Sequence, residues 1–329
     1  MILAGDVGGT KTVLGVATST DGTIEIVREE TFGNDDYASF GDLLDDFLAG
    51  DRLMLDAVCL AVAGPVIGGR VAMTNLPWEI EARGLGERLG TTRTHLLNDL
   101  EATAVAMLHL APESLREIQA GAGMERHGHV AVLAPGTGLG EAMLCWDGTR
   151  HQPVASEGGH VDFAPAGPEQ IALLGYLADR FEHVSYERVL SGPGLVSIYE
   201  FLRDTGRAEA CPEVERTIAE PAAAISAAAL TGSPAICVRA LDLFVRVLGA
   251  KAGNLALQVL ATGGVFIGGG IPPKILPALV DGRFREAFLA KGRQRHLLER
   301  MPVQVALEPR ASLLGAARFA LGSSDRVSG

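Results

Sequence analysis

Apolar residues fall along this chain in short runs broken by glycine. Residues 2–7, 12–18 and 24–32 read as three successive strands, and a polar stretch and a helix near 37–49 follow. Leu55 to Ala63 is an apolar run that ends at Gly64-Pro65, the pattern of a buried strand. Residues 94–98 read as a strand feeding a helix over about 99–109. This β-β-β-α-β-α order predicts an α/β unit on a mixed sheet.

A similar order restarts near His129. It gives a strand over 129–134, a glycine turn, a strand over 139–146 and a third near 151–156. Helices are predicted near 169–180 and 193–204, with long helical patterns over 213–230 and 235–259. A strand over 261–267 ends in three glycines, and a strand near 302–306 precedes a helix over about 312–321. The most apolar stretch follows Lys251, but Asn254, Gln258 and several glycines interrupt it. It reads as a buried helix and a buried strand, not as a membrane span. The echo between halves puts two glycine hairpins at equivalent positions. Two lobes with a cleft between them would set those hairpins face to face. No Pro/Ser-rich linker marks the boundary, which element order sets near residue 110.

Composition narrows the function classes. The chain has 329 residues, 47% hydrophobic and 21% charged, as a globular protein has. Its net charge of −12 argues against non-specific nucleic-acid binding, which depends on Lys and Arg meeting phosphates. Cys59, Cys145, Cys211 and Cys237 are scattered, with no Cys-x-x-Cys pair. That spacing excludes a zinc ribbon or a disulfide framework and fits a reducing cytoplasm. The first residues lack a basic and then apolar leader, so no signal peptide is expected.

The two hairpins carry the first candidate chemistry. One runs Leu3-Ala-Gly-Asp6-Val-Gly8-Gly9-Thr10-Lys11-Thr12, the other Val132-Leu-Ala-Pro-Gly136-Thr137-Gly138-Leu-Gly140. Successive amides in such turns form an anion nest, and two nests suit a polyphosphate held from both sides. Asp6 adds a hard oxygen ligand suited to a Mg²⁺ that keeps most of its waters. Two tight β-hairpins without a ligand would look the same. Neither hairpin is a Walker A loop or a Gly-x-Gly-x-x-Gly turn.

Further polar groups lie around them. Asn98-Asp99 ends a strand and opens a helix, where ligands bind in α/β sheets and where Asn and Asp also serve as caps. Ser156-Glu157-Gly158-Gly159-His160 sets an acid and an imidazole beside two glycines. That suits sugar hydroxyls, and equally a solvated loop. Glu187 precedes another helix, a position that acids favour in any case. Gly268-Gly269-Gly270 after a buried strand leaves bare backbone on which an adenine ring can lie, or simply makes a tight turn.

Taken in order, these segments resemble the bacterial glucokinases of the hexokinase-like, actin-like superfamily. The match runs through Gly5–Thr12, Val71–Trp78, Leu97–Asp99, Pro135–Gly140, Glu157–Pro165, Glu187–Leu195 and Gly263–Ile271, to Gly315. The resemblance implies an α/β, two-lobed actin-like (ribonuclease H-like) ATPase fold with a central cleft. It implies a small domain of residues 1–110 plus 301–329 and a large one of 111–300. It implies ATP-dependent phosphorylation of the glucose 6-hydroxyl, with Asp99 as general base. Asn98, Asp99, Glu157, His160 and Glu187 are the implied sugar contacts. Asp6, Gly8, Gly9, Thr10, Gly136, Thr137 and Gly138 match the phosphate loops, and Gly268, Gly269 and Gly270 the adenosine side. Mg²⁺ is expected at Asp6 through water.

The segment after His160 lacks the cysteines of the related repressor/kinase family, so no structural zinc is expected. No helix-turn-helix precedes the first strand. A kinase for another hexose or amino sugar, or a non-catalytic sugar sensor, remains open. The resemblance also implies a cytoplasmic homodimer assembled through the large domain and its Ala/Leu-rich helices. Two residues depart from the family pattern: Glu141, where an apolar residue is expected, and Ser156, where glycine is usual.

Overall fold

Alternation along two neighbouring strands builds both faces of the first sheet. The computed structural model describes residues 1–322 apart from Asp21, Arg52, Thr74, Asn75, Thr217 and Ile218. In β1 (Ile2–Val7) and β4 (Ala57–Val62), Leu3, Val7, Val58, Leu60 and Val62 face one core. Ile2, Ala4, Ala57, Cys59 and Ala61 face the other. The residues between complete this unit: β2 (Lys11–Thr20), β3 (Thr23–Gly33), α1 (Phe40–Leu48), β5 (Arg70–Ala72), β6 (Glu79–Glu81), α2 (Ala82–Leu89), β7 (Thr94–Asn98) and α3 (Asp99–Met107).

The sheet order is β3-β2-β1-β4-β7, with β1, β2 and β3 antiparallel in sequence and β1, β4 and β7 parallel. The large residues pack on Phe40, Leu43, Leu44 and Phe47 of α1. The small ones admit α3 and the C-terminal helix Ala311–Gly322 on the opposite face. Those two helices touch where Gly315 meets Ala102: a Cβ on Gly315 would lie 1.7 Å from the Ala102 carbonyl oxygen, so only glycine fits. Helix α2 was not anticipated, because Gly84, Gly86 and Gly90 dilute its apolar pattern.

The chain divides into two compact units, Met1–Leu110 with the chain from Glu308 onward, and Ala111–Leu307. The second opens with β8 (Leu115–Gln119), β9 (Val130–Pro135), β10 (Leu139–Trp146) and β11 (His151–Ser156). Helices α4 (Pro168–Ala178), α5 (Gly192–Asp204), α6 (Pro212–Glu215), α7 (Pro221–Leu230) and α8 (Ala235–Val259) follow. Then come β12 (Gly264–Ile267), α9 (Leu276–Val280), α10 (Arg283–Leu289), α11 (Arg295–Leu298) and β13 (Val303–Ala306). Its sheet order is β11-β10-β9-β12-β13-β8. The first five strands repeat the pattern of the first unit, with three antiparallel strands followed by two parallel ones.

Strand β8 is an addition that the sequence reading lacked; it pairs antiparallel with β13 at the sheet edge. Because β13 belongs to this sheet, the return to the first unit comes after Leu307, not at 300. The helical pattern over 213–230 divides into α6 and α7, and Pro221 starts the second piece at a position where proline is tolerated. Helix α8 is the centre of the core. Leu241, Phe244, Val245, Leu248 and Ala252 are buried in it, against Phe201 of α5 and Phe284 and Phe288 of α10. Among the described residues no single helix is long and apolar enough to cross a membrane. Helices α7 and α8 meet that length and composition only as a pair bent by 100°.

Candidate active site

The turn between β1 and β2 is braced from below by a residue far along the chain. The Gly8 amide donates to the Lys11 carbonyl at 3.0 Å and closes the turn. Asn34 is buried in a single 3₁₀ turn just after β3. Its Nδ2 donates to the Gly8 carbonyl at 2.9 Å, and its Oδ1 accepts from the Thr12 hydroxyl at 2.8 Å. Its own amide donates to the Thr10 carbonyl at 3.0 Å. Gly8, Gly9 and Thr10 therefore form one fixed turn. Asn34 was missed because a lone asparagine in a polar stretch carries no pattern of its own. Burial raises the pKa of Asp6, opposed by the Ser312 hydroxyl and then by the charge of Lys11.

Asp6 and Asn98-Asp99 lie at the carboxyl ends of parallel strands of this same sheet. The register pairs Asp6 with Ala61 and Val62 with Asn98, so they are two strand spacings apart, about 10 Å. Asn98 caps α3: its Oδ1 accepts from the Leu100 amide at 2.9 Å, and its own amide donates to Glu101 at 2.9 Å. Burial raises the pKa of Glu101, with that amide opposing. Asn98 Nδ2 donates to the Gly64 carbonyl at 3.2 Å. Asp99 is the first helical residue, and its Oδ1 accepts from the Leu100 amide at 2.9 Å, which fixes the tilt of the carboxylate. Cap and candidate base are thus adjacent residues with separate duties.

In the second unit Glu157, His160 and Glu187 come together. His160 stands between the two acids, with Nε2 3.8 Å from Glu157 and Nδ1 3.9 Å from Glu187. Glu187 is also tied to the second hairpin: its Oε2 accepts from the Leu139 amide at 2.9 Å. A Cβ on Gly138 would lie 2.5 Å from that same oxygen, so this glycine leaves room for the acid. The Gly136 amide donates to the Gly138 carbonyl at 2.8 Å, and the Gly192 amide to the Gly136 carbonyl at 2.9 Å. The turn, the acid and the start of α5 are thus one hydrogen-bonded piece.

Gly136 and Thr137 open onto a cavity of about 590 Å³ inside this unit, the size of a small-molecule site. Its other walls include Gly192, Pro193 and Glu200 of α5, Glu220 just before α7, Ala222 within α7, and Ile271 and Lys274. Gly268, Gly269 and Gly270 run along the end of β9. The Gly268 amide donates to the Leu133 carbonyl at 2.8 Å and the Ile271 amide to the Pro135 carbonyl at 3.2 Å. Gly269 takes a φ of +85°, which glycine alone adopts freely. The walls from α5 and α7 were not anticipated, since their apolar and small residues look like ordinary helix starts.

The two departures from the family pattern have partners. Ser156 Oγ accepts from the Gly158 amide at 3.0 Å, and buried Glu141 meets buried Lys251 at 2.6 Å. All four cysteines are free thiols. Among the described residues no three His, Cys, Asp or Glu side chains could together hold a metal ion. Within the Val71–Trp78 segment, Val71, Met73 and Trp78 are buried, while Thr74 and Asn75 lie outside the described residues.

A family model described as glucokinase matches residues 3–323. A glucokinase of Trichormus variabilis is 38% identical over 96% of this chain and 98% of its own. Among solved structures, a glucokinase from an Antarctic psychrotroph superposes with a TM-score of 0.87 at 32% identity, covering 98% of both chains. A glucokinase from Balamuthia mandrillaris, solved in complex with glucose, shares the fold with a TM-score of 0.80 at 23% identity, covering 97% of this chain and 92% of that one. The repeated mixed sheets, the two braced hairpins and this full-length similarity agree: the chain belongs to the glucokinase family.

Proposed function

We propose that Asp99 is the general base in the phosphorylation of glucose that this enzyme of the glucokinase family catalyses with ATP. The observation that carries this reading is Asp99 opening α3 at the carboxyl end of β7, two strands from Asp6, with its carboxylate tilted by the Leu100 amide. In the reaction the sugar 6-hydroxyl oxygen attacks the γ-phosphorus as Asp99 takes its proton. The bond from that phosphorus to the bridging oxygen breaks, and ADP leaves. Such transfer relies on positioning and charge neutralisation more than on covalent chemistry. A placed base contributes typically about 10²–10⁴-fold.

Glu157, His160 and Glu187 supply acceptors and donors for the ring hydroxyls. Asn98 has its oxygen engaged in the cap, so it serves the sugar through its remaining N–H. The turns at Gly8–Thr10 and Gly136–Gly138 hold the phosphates, and the cavity behind Gly136 takes the nucleoside, with Gly268–Gly270 leading into Ile271 of its wall. Asp6 fits a Mg²⁺ held through water, because burial alone disfavours its charge and a cation would offset that. When bound, the metal neutralises charge on the phosphate oxygens.

The reading assigns the sugar contacts to Asn98 and Asp99 of the first unit and to Glu157, His160 and Glu187 of the second. Four free thiols support a reducing, cytoplasmic setting. A homodimer through the second unit and its Ala/Leu-rich helices stays part of the reading. A coupled ADP-release assay over a panel of sugars tests the function. Turnover that prefers glucose supports it. Turnover of another hexose or amino sugar without glucose, or no ADP release, overturns it.

A further inference from the structure

We infer that the buried pair Glu141–Lys251 is a positioning device for the sugar loop: it grips the backbone of Gly158 and thereby sets Glu157 and His160. The inference rests on the assignment of those two side chains to glucose.

Both partners are almost fully buried and meet at 2.6 Å. Both also touch Gly158. Lys251 Nζ donates to the Gly158 carbonyl at 3.4 Å, and a Cβ on Gly158 would lie 2.2 Å from Glu141 Oε2. The next residue is pressed on the same strand, since a Cβ on Gly159 would lie 2.0 Å from the Leu139 carbonyl oxygen. The Gly159 carbonyl accepts from the Glu187 amide at 2.9 Å. Gly158–His160 is a single 3₁₀ turn, closed by the His160 amide donating to the Glu157 carbonyl at 3.0 Å. A shift of Gly158 therefore moves the acid on one side and the imidazole on the other.

Lys251 is itself held. It lies 4.5 Å from the centre of the Tyr186 ring, and the Tyr186 hydroxyl accepts from Asn254 at 3.0 Å, one turn further along α8. Lys291 fixes Asn254 in turn, donating to its Oδ1 at 2.7 Å. A buried ion pair roughly breaks even against apolar residues of the same volume, so stability alone gives no reason for one here. Its contacts with the loop do. Burial raises the pKa of Glu141 and Lys251 opposes this, as expected of a pair kept charged at a cost.

The test compares a double variant with a single one. Glu141→Met with Lys251→Met fills the space without a donor to Gly158. Glu141→Gln keeps the Lys251 donor and removes the charge of the acid. The methionine pair is expected to raise the glucose KM about tenfold, to leave the ATP KM within about twofold and to keep the native Tm. Glu141→Gln alone should show little of this loss. In a Glu157→Ala, His160→Ala background the methionine pair should add little, because neither side chain that the loop sets remains. If the methionine pair fails to fold, Glu141→Gln with Lys251→Met lacks both the charge and the donor and carries the same comparison. A folded, donor-less variant with native glucose KM overturns the inference, as does a full additional effect in the Glu157→Ala, His160→Ala background. The Glu157→Ala, His160→Ala variant separates the two levels. A native glucose KM there removes the sugar assignment, whereas a raised one beside a native methionine pair removes the positioning role alone.

Discussion

Glu187 accepts the amide hydrogen of Leu139 at 2.9 Å, which ties an acid assigned to the sugar to the turn assigned to phosphate. Replacements in the sugar cluster should therefore divide into two kinds. Glu157→Ala and His160→Ala should raise the glucose KM and spare the ATP KM, each at a cost of about 1–3 kcal/mol for unpaired hydroxyls. Glu187→Ala should raise both, since it also frees Leu139. Steady-state kinetics with each substrate varied decides this, and a Glu187 variant with native ATP KM would uncouple the turn from the acid.

Asn34 makes the same kind of link in the first unit. Asn34→Ala leaves the Gly8 carbonyl and the Thr12 hydroxyl without their buried partner, at about 1–3 kcal/mol each. A lowered Tm and a raised ATP KM are expected together. A lowered Tm with native ATP KM would make Asn34 structural only.

Gly159 has backbone against it, so the strain of an added methyl cannot pass to a flexible side chain. Gly159→Ala should cost about 1–3 kcal/mol or more, seen as a fall in Tm, and should weaken glucose binding. Gly175 has nothing within reach of an added Cβ and should accept alanine without loss, which makes it the control.

Asp6 ties stability to function through pH. Burial raises its pKa, so the folded chain holds this proton more tightly than the unfolded one. Its effect on stability is therefore unfavourable at neutral pH: stability falls as pH rises from the ordinary value of 3.8 through the raised one. Asp6→Asn removes that slope. It should raise Tm at neutral pH while lowering kcat by about 10²-fold or more, with the carboxylate proposed to hold the hydrated Mg²⁺ gone. A lower Tm in melts across this range would contradict the sign.

What the sequence revealed and what it hid have separate physical causes. The hairpins were legible because their glycines and hydroxyls fall between two apolar runs. Strands β1, β4 and β9 were legible as apolar runs. Helix α2 was hidden by its three glycines, although Leu85 packs it on the core and Gly90 ends it in a left-handed cap. Strand β8 was hidden because its Arg and Glu are exposed at a sheet edge. Asn34 and Lys251 act on residues far from them in sequence. Glu141 was visible as an oddity in an apolar strand, but its partner lies in a helix that otherwise reads as plain core.

Asp99→Asn keeps the size of the side chain and its capacity to hydrogen-bond the sugar hydroxyl, and removes only the proton acceptor. Coupled ADP release at saturating ATP, with glucose varied, is the decisive measurement. A fall in kcat of about 10²-fold or more, with glucose KM within about threefold of the native value, is the expected result. A variant with near-native kcat would remove Asp99 from the role of base.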